Sequence, residues 1–199
     1  LQDGNSYTAE EVHKFCEECK YAFKRKRDQA ADIGSAAHEV IEGRVNTAIA
    51  GGELRVDTSE IHGDSGLANE DLRLVENCVN AATEWLLSHN VVPIVAERRI
   101  YSRRWHFSGT ADLIARVDDK LALVDWKSSK GLYPEYALQT AAYVKAYQEE
   151  TGEKIQTRWL IRLGKEDGAF EAKQLTNLSG DWKAFKAALT LHNWQKYSK

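Results

Sequence analysis

The hydrophobic pattern of this chain changes period once, near residue 90, and that change constrains the fold more than any other feature. Before it, apolar residues recur at helical spacing: Ile33, Ala37, Ile41 and Val45 form one stripe, and Leu72, Val75, Val79, Ala82 and Leu86 another. After it, residues 91–101, 105–117 and 121–128 are rich in β-branched and apolar side chains and read as strands. Asp118-Asp119 between the last two fits a tight hairpin turn. A chain that is helical first and strand-forming second builds a sheet and packs its helices on it.

The remaining elements follow from local signals. Thr8-x-x-Glu11 has the form of a capping box and opens a helix through Phe23. A second helix is expected over 30–50, ended by Gly51-Gly52, then a loop over 57–66 and a third helix over 68–89. Pro134 suits a first helical position, and Thr151-Gly152 closes that helix. Strands are expected near 155–163 and 169–175, before a last helix from about Asp181. The expected order is three helices, three strands, a helix, two strands and a helix. No repeat or linker divides the chain. We expect one domain over 1–199, with a helical part at 1–90 and a sheet core at 91–199.

Composition narrows the class. At 199 residues the chain can bury a sizeable core, and 43% hydrophobic with 29% charged residues is ordinary for a globular protein. No apolar run approaches the ~20 residues that cross a bilayer, so no membrane partner is expected. The opening Leu1-Gln2-Asp3-Gly4-Asn5 is polar, unlike a signal peptide. The absence of any Met fits a trimmed or processed chain. Three cysteines, Cys16, Cys19 and Cys78, are too few for a disulfide scaffold, which points to a cytoplasmic compartment. A net charge of -3 argues against coating nucleic acid by bulk electrostatics, so any such contact rests on local basic patches.

The run Leu121-Ala122-Leu123-Val124-Asp125-Trp126-Lys127 carries the chemistry. Alternation along a strand puts Asp125 and Lys127 on one face. Charge within an apolar strand is costly unless paired or metal-bound, and for an isolated Asp-x-Lys a local ion pair is the plain explanation. Asp112 changes that. It sits in the apolar run before the turn, and residue numbers 112 and 125 sum to the same value as 118 and 119. The two acids therefore fall opposite each other, where they repel unless a cation lies between them. Glu97, on the first strand, offers a third oxygen, and an oxygen set suits Mg²⁺ or Mn²⁺. Metal beside lysine suggests phosphodiester hydrolysis, with the cation polarising phosphate and acidifying a water. Lys127 would orient that water, help take its proton, or offset charge in the transition state.

Asp112 followed by Asp125-Trp126-Lys127 resembles the core of the PD-(D/E)XK nucleases, with Gly109-Thr110 in place of the more literal proline before the first acid. Gln139-Thr140-Ala141-Ala142-Tyr143 is similar to the Gln-x-x-x-Tyr motif of the RecB-like branch, and Gly34-Ser35-Ala36-Ala37-His38 to its Gly-x-x-x-His helix. Glu97 falls where that branch carries an acid on its first core strand. The resemblance spans residues 34–143 and extends to the RecB nuclease domain, the CRISPR-adaptation nucleases and the mitochondrial genome maintenance exonuclease. It implies a restriction-endonuclease-like α/β fold, a central mixed sheet of about five strands flanked by helices, with the site at one sheet edge. It implies Asp112, Asp125, Lys127, Glu97, Gln139 and Tyr143 as catalytic residues. It implies His38, Asp112, Asp125, Glu97 and the Trp126 carbonyl as metal ligands. His62 and His106 are weaker ligand candidates; His13, His89 and His192 read as surface residues.

Candidate DNA contacts are the basic run Lys24-Arg25-Lys26-Arg27 and the arginines Arg98, Arg99, Arg103 and Arg104. Solvated faces explain such runs equally well. Tyr133, Tyr136 and Trp126 are candidates for stacking on unpaired bases. Relatives with an iron–sulfur cluster place three cysteines after the core; this chain has none after Cys78, so no cluster is expected. The reading is a Mg²⁺- or Mn²⁺-dependent DNA exonuclease acting on single-stranded ends. Its expected setting is recombination, replication or repair in a bacterial or phage-infected cell, beside recombination or replication proteins as partners. Competing readings are a structure-specific or nicking endonuclease, a non-catalytic DNA-binding subunit that kept the fold, and an RNA-directed nuclease.

Overall fold

In the computed structural model, which describes residues 7–54 and 67–197, Thr8 opens the first helix as its capping box requires. The Thr8 hydroxyl accepts from the Glu11 amide at 3.3 Å, and the Glu11 carboxylate accepts from the Thr8 amide at 2.8 Å. The helix α1 runs without interruption over Ala9–Ile49. This corrects the expectation of two helices in that segment. Lys24 to Gln29 holds no proline or glycine and is built from competent helix formers, so nothing stops propagation. The predicted loop over 57–66 lies outside the described residues.

Helix α2 (Asn69–Ser88) packs on α1, and the two stripes read from the sequence meet there. Ile33, Ala37, Ile41 and Val45 of α1 join Val75, Val79, Ala82 and Leu86 of α2 in one buried cluster. That cluster covers one face of a five-stranded sheet: β1 (Val92–Ser102), β2 (Phe107–Val117), β3 (Lys120–Lys127), β4 (Thr157–Leu163) and β5 (Phe170–Gln174). Spatial order follows chain order, and only β3 and β4 are parallel. Their crossover is α3 (Pro134–Thr151), with Pro134 in the first turn and Gly152 closing it at φ +74°. Parallel pairing requires such a crossover, which puts α3 on the opposite face from α1 and α2. There Val144, Ala146 and Tyr147 bury Ile100, Ile114 and Leu123. Helix α4 (Leu178–Tyr197) packs on α3 and begins three residues before the expected Asp181. The result is α/β with a mixed sheet between helices.

The hairpin at Asp118-Asp119 forms as read. Both residues adopt left-handed φ (+48° and +63°), the geometry of a two-residue turn matched to strand twist. Arg158, buried on β4, donates to Asp181 at 2.6 Å and to the carbonyl of Ala137 at 3.0 Å, fastening α3 and α4 to the sheet. None of the helices among the described residues is long and apolar enough to cross a membrane.

Candidate active site

The β2–β3 ladder pairs Leu113 with Val124 and closes at Val117 and Lys120. Extending that register by one residue sets Asp112 opposite Asp125. The β1–β2 ladder pairs Ala96 with Leu113 and Arg98 with Ala111, so Glu97 and Asp112 face each other between those pairs. Glu97, Asp112 and Asp125 thus form one transverse row over three strands. The row runs from edge strand β1 to middle strand β3, rather than lying at one edge as expected.

Side-chain alternation reverses at this row. On β2, Ala111 packs on the α3 side whereas Leu113, two residues on, packs on the α1–α2 side. On β1, Ala96 belongs to the α1–α2 side and Ile100, four residues on, to the α3 side. Strict period two would keep each pair together. The reversal on β1 coincides with Glu97 at φ +45°, a conformation that non-glycine residues seldom adopt in a strand. Paired reversals preserve the register while re-aiming both acids.

His38 meets them from α1. Its Nδ1 lies 3.8 Å from Asp112 Oδ2 and 4.0 Å from Glu97 Oε1. One ligand atom from each of these three residues falls within 4.8 Å of the others. The close approach of α1 depends on Gly34, where a Cβ would stand 2.7 Å from the Ser128 hydroxyl at the end of β3. Asp112 Oδ2 also accepts from the Trp126 amide at 2.7 Å.

Asp125 is 1% exposed, and its Oδ2 stands 2.7 Å from Lys127 Nζ. Oδ2 is thus engaged by the ammonium, while Oδ1 has no hydrogen-bond partner among the described residues. Lys127 donates to Gln139 Oε1 at 3.0 Å, and Gln139 Nε2 donates to the Tyr143 hydroxyl at 2.8 Å. The ammonium also sits 4.7 Å over the ring of Tyr136. Gln139 and Tyr143 therefore reach Lys127 from one face of α3 through a chain of two hydrogen bonds. Gly109 of β2 makes room for Tyr143: a Cβ there would run into the Tyr143 ring.

Burial pushes the Asp112 carboxyl well above the usual range, and the charge of Asp125 adds to the rise. Burial likewise raises Asp125, against the lowering influence of Lys127. Desolvation works against the charged form of His38, but Glu97, Asp112 and Asp125 outweigh it and hold its pKa above the usual value. The half-buried acids Asp112 and Glu97 with the His38 ring nitrogen make a donor set that could hold a divalent cation, and the buried Asp125 lies beside it in register with Asp112. Asp125 Oδ1, buried with no hydrogen-bond partner among the described residues, is the clearest sign of that fit.

Other expected residues fall elsewhere. The Trp126 side chain is 2% exposed and packs edge-on against Trp85 at 5.5 Å, so it cannot stack on a base. Position 126 faces the α1–α2 core because its neighbours 125 and 127 face the other way. His89 is half-buried and stacks on Trp85 at 5.1 Å, at the margin of an aromatic cluster. His106 lies exposed in the β1–β2 turn, and His62 lies outside the described residues. Lys24 to Arg27 are exposed along α1, with Arg27 paired to Asp28 at 2.8 Å. Arg98 lies 3.7 Å from Glu150, and Arg104 stands 5.4 Å from the Trp105 ring centroid, while Arg99 and Arg103 are exposed. Tyr133 is exposed and meets Tyr136 edge-on at 5.7 Å. Cys16 and Cys19 are exposed free thiols, and Cys78 is buried.

A mixed sheet between helices, with two acids and a lysine converging on its central strands, is the architecture of the restriction-endonuclease-like nucleases. This chain belongs to the PD-(D/E)XK nuclease superfamily, whose profile matches residues 6–196. A comparison with curated proteins finds no match. Among solved structures, a protein from Eubacterium rectale, provisionally described as an exonuclease, is similar with a TM-score of 0.48 and 12% identity. The match covers 78% of this chain and 64% of that one, so this chain spans less than two thirds of that protein's length.

Proposed function

We propose that this chain is a Mg²⁺- or Mn²⁺-dependent deoxyribonuclease that hydrolyses phosphodiester bonds at single-stranded DNA ends. The observation that carries the reading is the buried Asp125, in register with Asp112 and 2.7 Å from Lys127, whose Oδ1 has no hydrogen-bond partner among the described residues. His38, Glu97, Asp112, Asp125 and the Trp126 carbonyl would hold the cation. Once bound, that ion supplies Lewis-acid polarisation of the phosphate and acidifies water.

The chain's own groups do the rest. Water oxygen adds to phosphorus as the bond to the leaving sugar oxygen breaks; the water releases one proton and the departing oxygen takes one up from solvent. Negative charge grows on the phosphoryl oxygens as this proceeds. Lys127 offers its ammonium protons to that charge, in a partly buried site where such donors act more strongly than in water. Gln139 and the ring of Tyr136 keep the ammonium from turning away, and Tyr143 fixes Gln139. Asp112 and Glu97, re-aimed by the reversal of the sheet, converge with His38 on one point.

Action on strand ends agrees with the resemblance of the Gly34–His38 and Gln139–Tyr143 segments to the RecB-like branch. A role in recombination, replication or repair follows from that reading. The test is Mn²⁺-supported digestion of linear single strands labelled separately at each terminus, beside a circular single strand. Progressive loss of one terminal label with the circle intact is the expected result. Equal loss of circle and line would replace the exonuclease by an endonuclease, and inactivity on every DNA form would favour a non-catalytic subunit.

A further inference from the structure

Beyond the acid row, the β1–β2 hairpin carries an open face. Ile100 and Ser102 of β1, and Gly109 and Ala111 of β2, turn toward α3. Strand alternation therefore turns Arg99, Tyr101, Ser108 and Thr110 the other way. The ladder sets Arg99 opposite Thr110 and Tyr101 opposite Ser108, and all four line one cleft of about 390 Å³. The cleft starts beside the site: Arg99 is two residues beyond Glu97 and Thr110 two before Asp112, about 7 Å along each strand.

Two side chains of this face are unengaged. The Arg99 guanidinium makes no ion pair or hydrogen bond among the described residues, whereas Arg98 beside it meets Glu150 at 3.7 Å. Tyr101 is 44% exposed, and its side chain enters no ring pair, cation contact or hydrogen bond among the described residues. Other accessible rings are occupied: Tyr133 meets Tyr136, and Trp105 carries Arg104 and Lys186. The short partners Ser108 and Thr110 explain the exposure, since neither can cover the ring or the guanidinium opposite it. Glu150 also lines the cleft, and Glu149 and Arg103 line the one that adjoins it at Tyr101. Arg98 and Arg103 match those two acids in number, which leaves Arg99 as the unmatched cation. Glu97 and Asp112 bound the cleft on the site side, where the proposed divalent cation offsets them.

We propose that this face is a subsite for one unpaired nucleotide of the substrate strand, with its phosphate on Arg99 and its base stacked on Tyr101. The two side chains stand about 7 Å apart along β1, the reach from a phosphate to its own base. Ser108 and Thr110 add hydroxyl donors beside them. A base lies on the Tyr101 ring only when it is out of a duplex, and stacking accepts every base. The subsite therefore selects single strands over duplex without reading sequence. This inference rests on the proposed nuclease reading and adds where the strand lies next to the cut.

Fluorescence anisotropy with a short single-stranded oligothymidylate and a blunt duplex, in EDTA so that nothing is cut, tests it. Tyr101→Ala should weaken single-strand binding about tenfold, within the range that base stacking supplies, and leave duplex binding within about twofold. Tyr101→Phe keeps the ring and should bind the single strand within about twofold of the wild type. Unchanged single-strand binding by Tyr101→Ala, an equal loss on duplex, or an equal loss in Tyr101→Phe overturns the stacking role. Arg99→Gln should lower the slope of log affinity against log salt by ~0.7, the value of one phosphate contact on a single strand. An unaltered slope overturns the phosphate contact. Because binding is read without metal, failure here leaves the nuclease reading standing. No digestion of any DNA by the wild type with Mn²⁺ overturns that reading, and with it the place of this subsite beside a cut.

Discussion

Replacing Lys127 by Met removes the ammonium 2.7 Å from Asp125 and leaves a carboxylate 1% exposed with no hydrogen-bond partner among the described residues. Breaking a buried pair by deleting one partner costs about 3–5 kcal/mol, because the remaining charge is uncompensated. In a chain of this size each kcal/mol moves the melting temperature by about 2–4 °C, so Lys127→Met should melt roughly 6–20 °C below the wild type in EDTA. A divalent cation relieves the same defect. Mn²⁺ at a hundredfold excess over Kd adds about 2.7 kcal/mol to a folded state that alone binds it, or roughly 5–11 °C in the wild type. The rise in the variant should be larger, because the cation also takes the place of the lost ammonium beside Asp125. Cleavage should be absent in the variant under both conditions. Thermal melts of the two proteins, with EDTA and with Mn²⁺, decide the matter. If the variant melts within 2 °C of the wild type without metal, or if Mn²⁺ raises both equally, Lys127 is not the counter-ion of a buried, cation-seeking carboxylate, and the electrostatic account of the site fails at its centre.

Gly109→Ala should press a methyl group into the Tyr143 ring, cost about 1–3 kcal/mol in a urea titration, and lower kcat by loosening the hold of Gln139 on Lys127. Gln139→Leu removes a hydrogen bond to a charged group, worth about 1.5–3 kcal/mol, so kcat should fall about ten- to a hundredfold with Mn²⁺ binding retained. The Glu149 carboxylate accepts from the Ser102 hydroxyl and the Arg104 amide, which holds its pKa below the usual value. A group depressed in this way stabilises the fold above its unfolded pKa and loses that contribution as pH falls through the folded one. The urea midpoint of the wild type should therefore drop on acidification below the usual carboxylate range, and Glu149→Gln should lack that part of the drop.

The sequence carried the catalytic sheet better than the helices. A hairpin of two aspartates fixes which residues lie opposite one another, and from that count Asp112 and Asp125 fall into register without knowledge of the rest. Gly34 and Gly109 were visible as glycines, and the close approaches they permit are what a glycine in an element commonly marks. The continuity of α1 was not visible because apolar periodicity lapses over Lys24 to Gln29 while helix propensity does not. Periodicity reports which face packs in the core, and Lys24 to Gln29 are exposed, with Gln29 reaching Asp71 of α2 through a single hydrogen bond at 2.8 Å. The reversal at Glu97 and Asp112 is hidden for a deeper reason. A left-handed glutamate leaves no mark in composition, and its conformation is set by what the sheet and His38 require around it. Trp126 was misplaced for the same kind of reason: an aromatic cluster gathered from α2, β3, β4 and β5 appears only once those elements meet.

The account stands on a divalent cation held by Asp112 and its neighbours. Calorimetric titration of Mn²⁺ into the wild type and Asp112→Asn measures this with no substrate present. The wild type should show a saturable binding event that the variant loses. Superimposable isotherms for the two proteins would contradict the account.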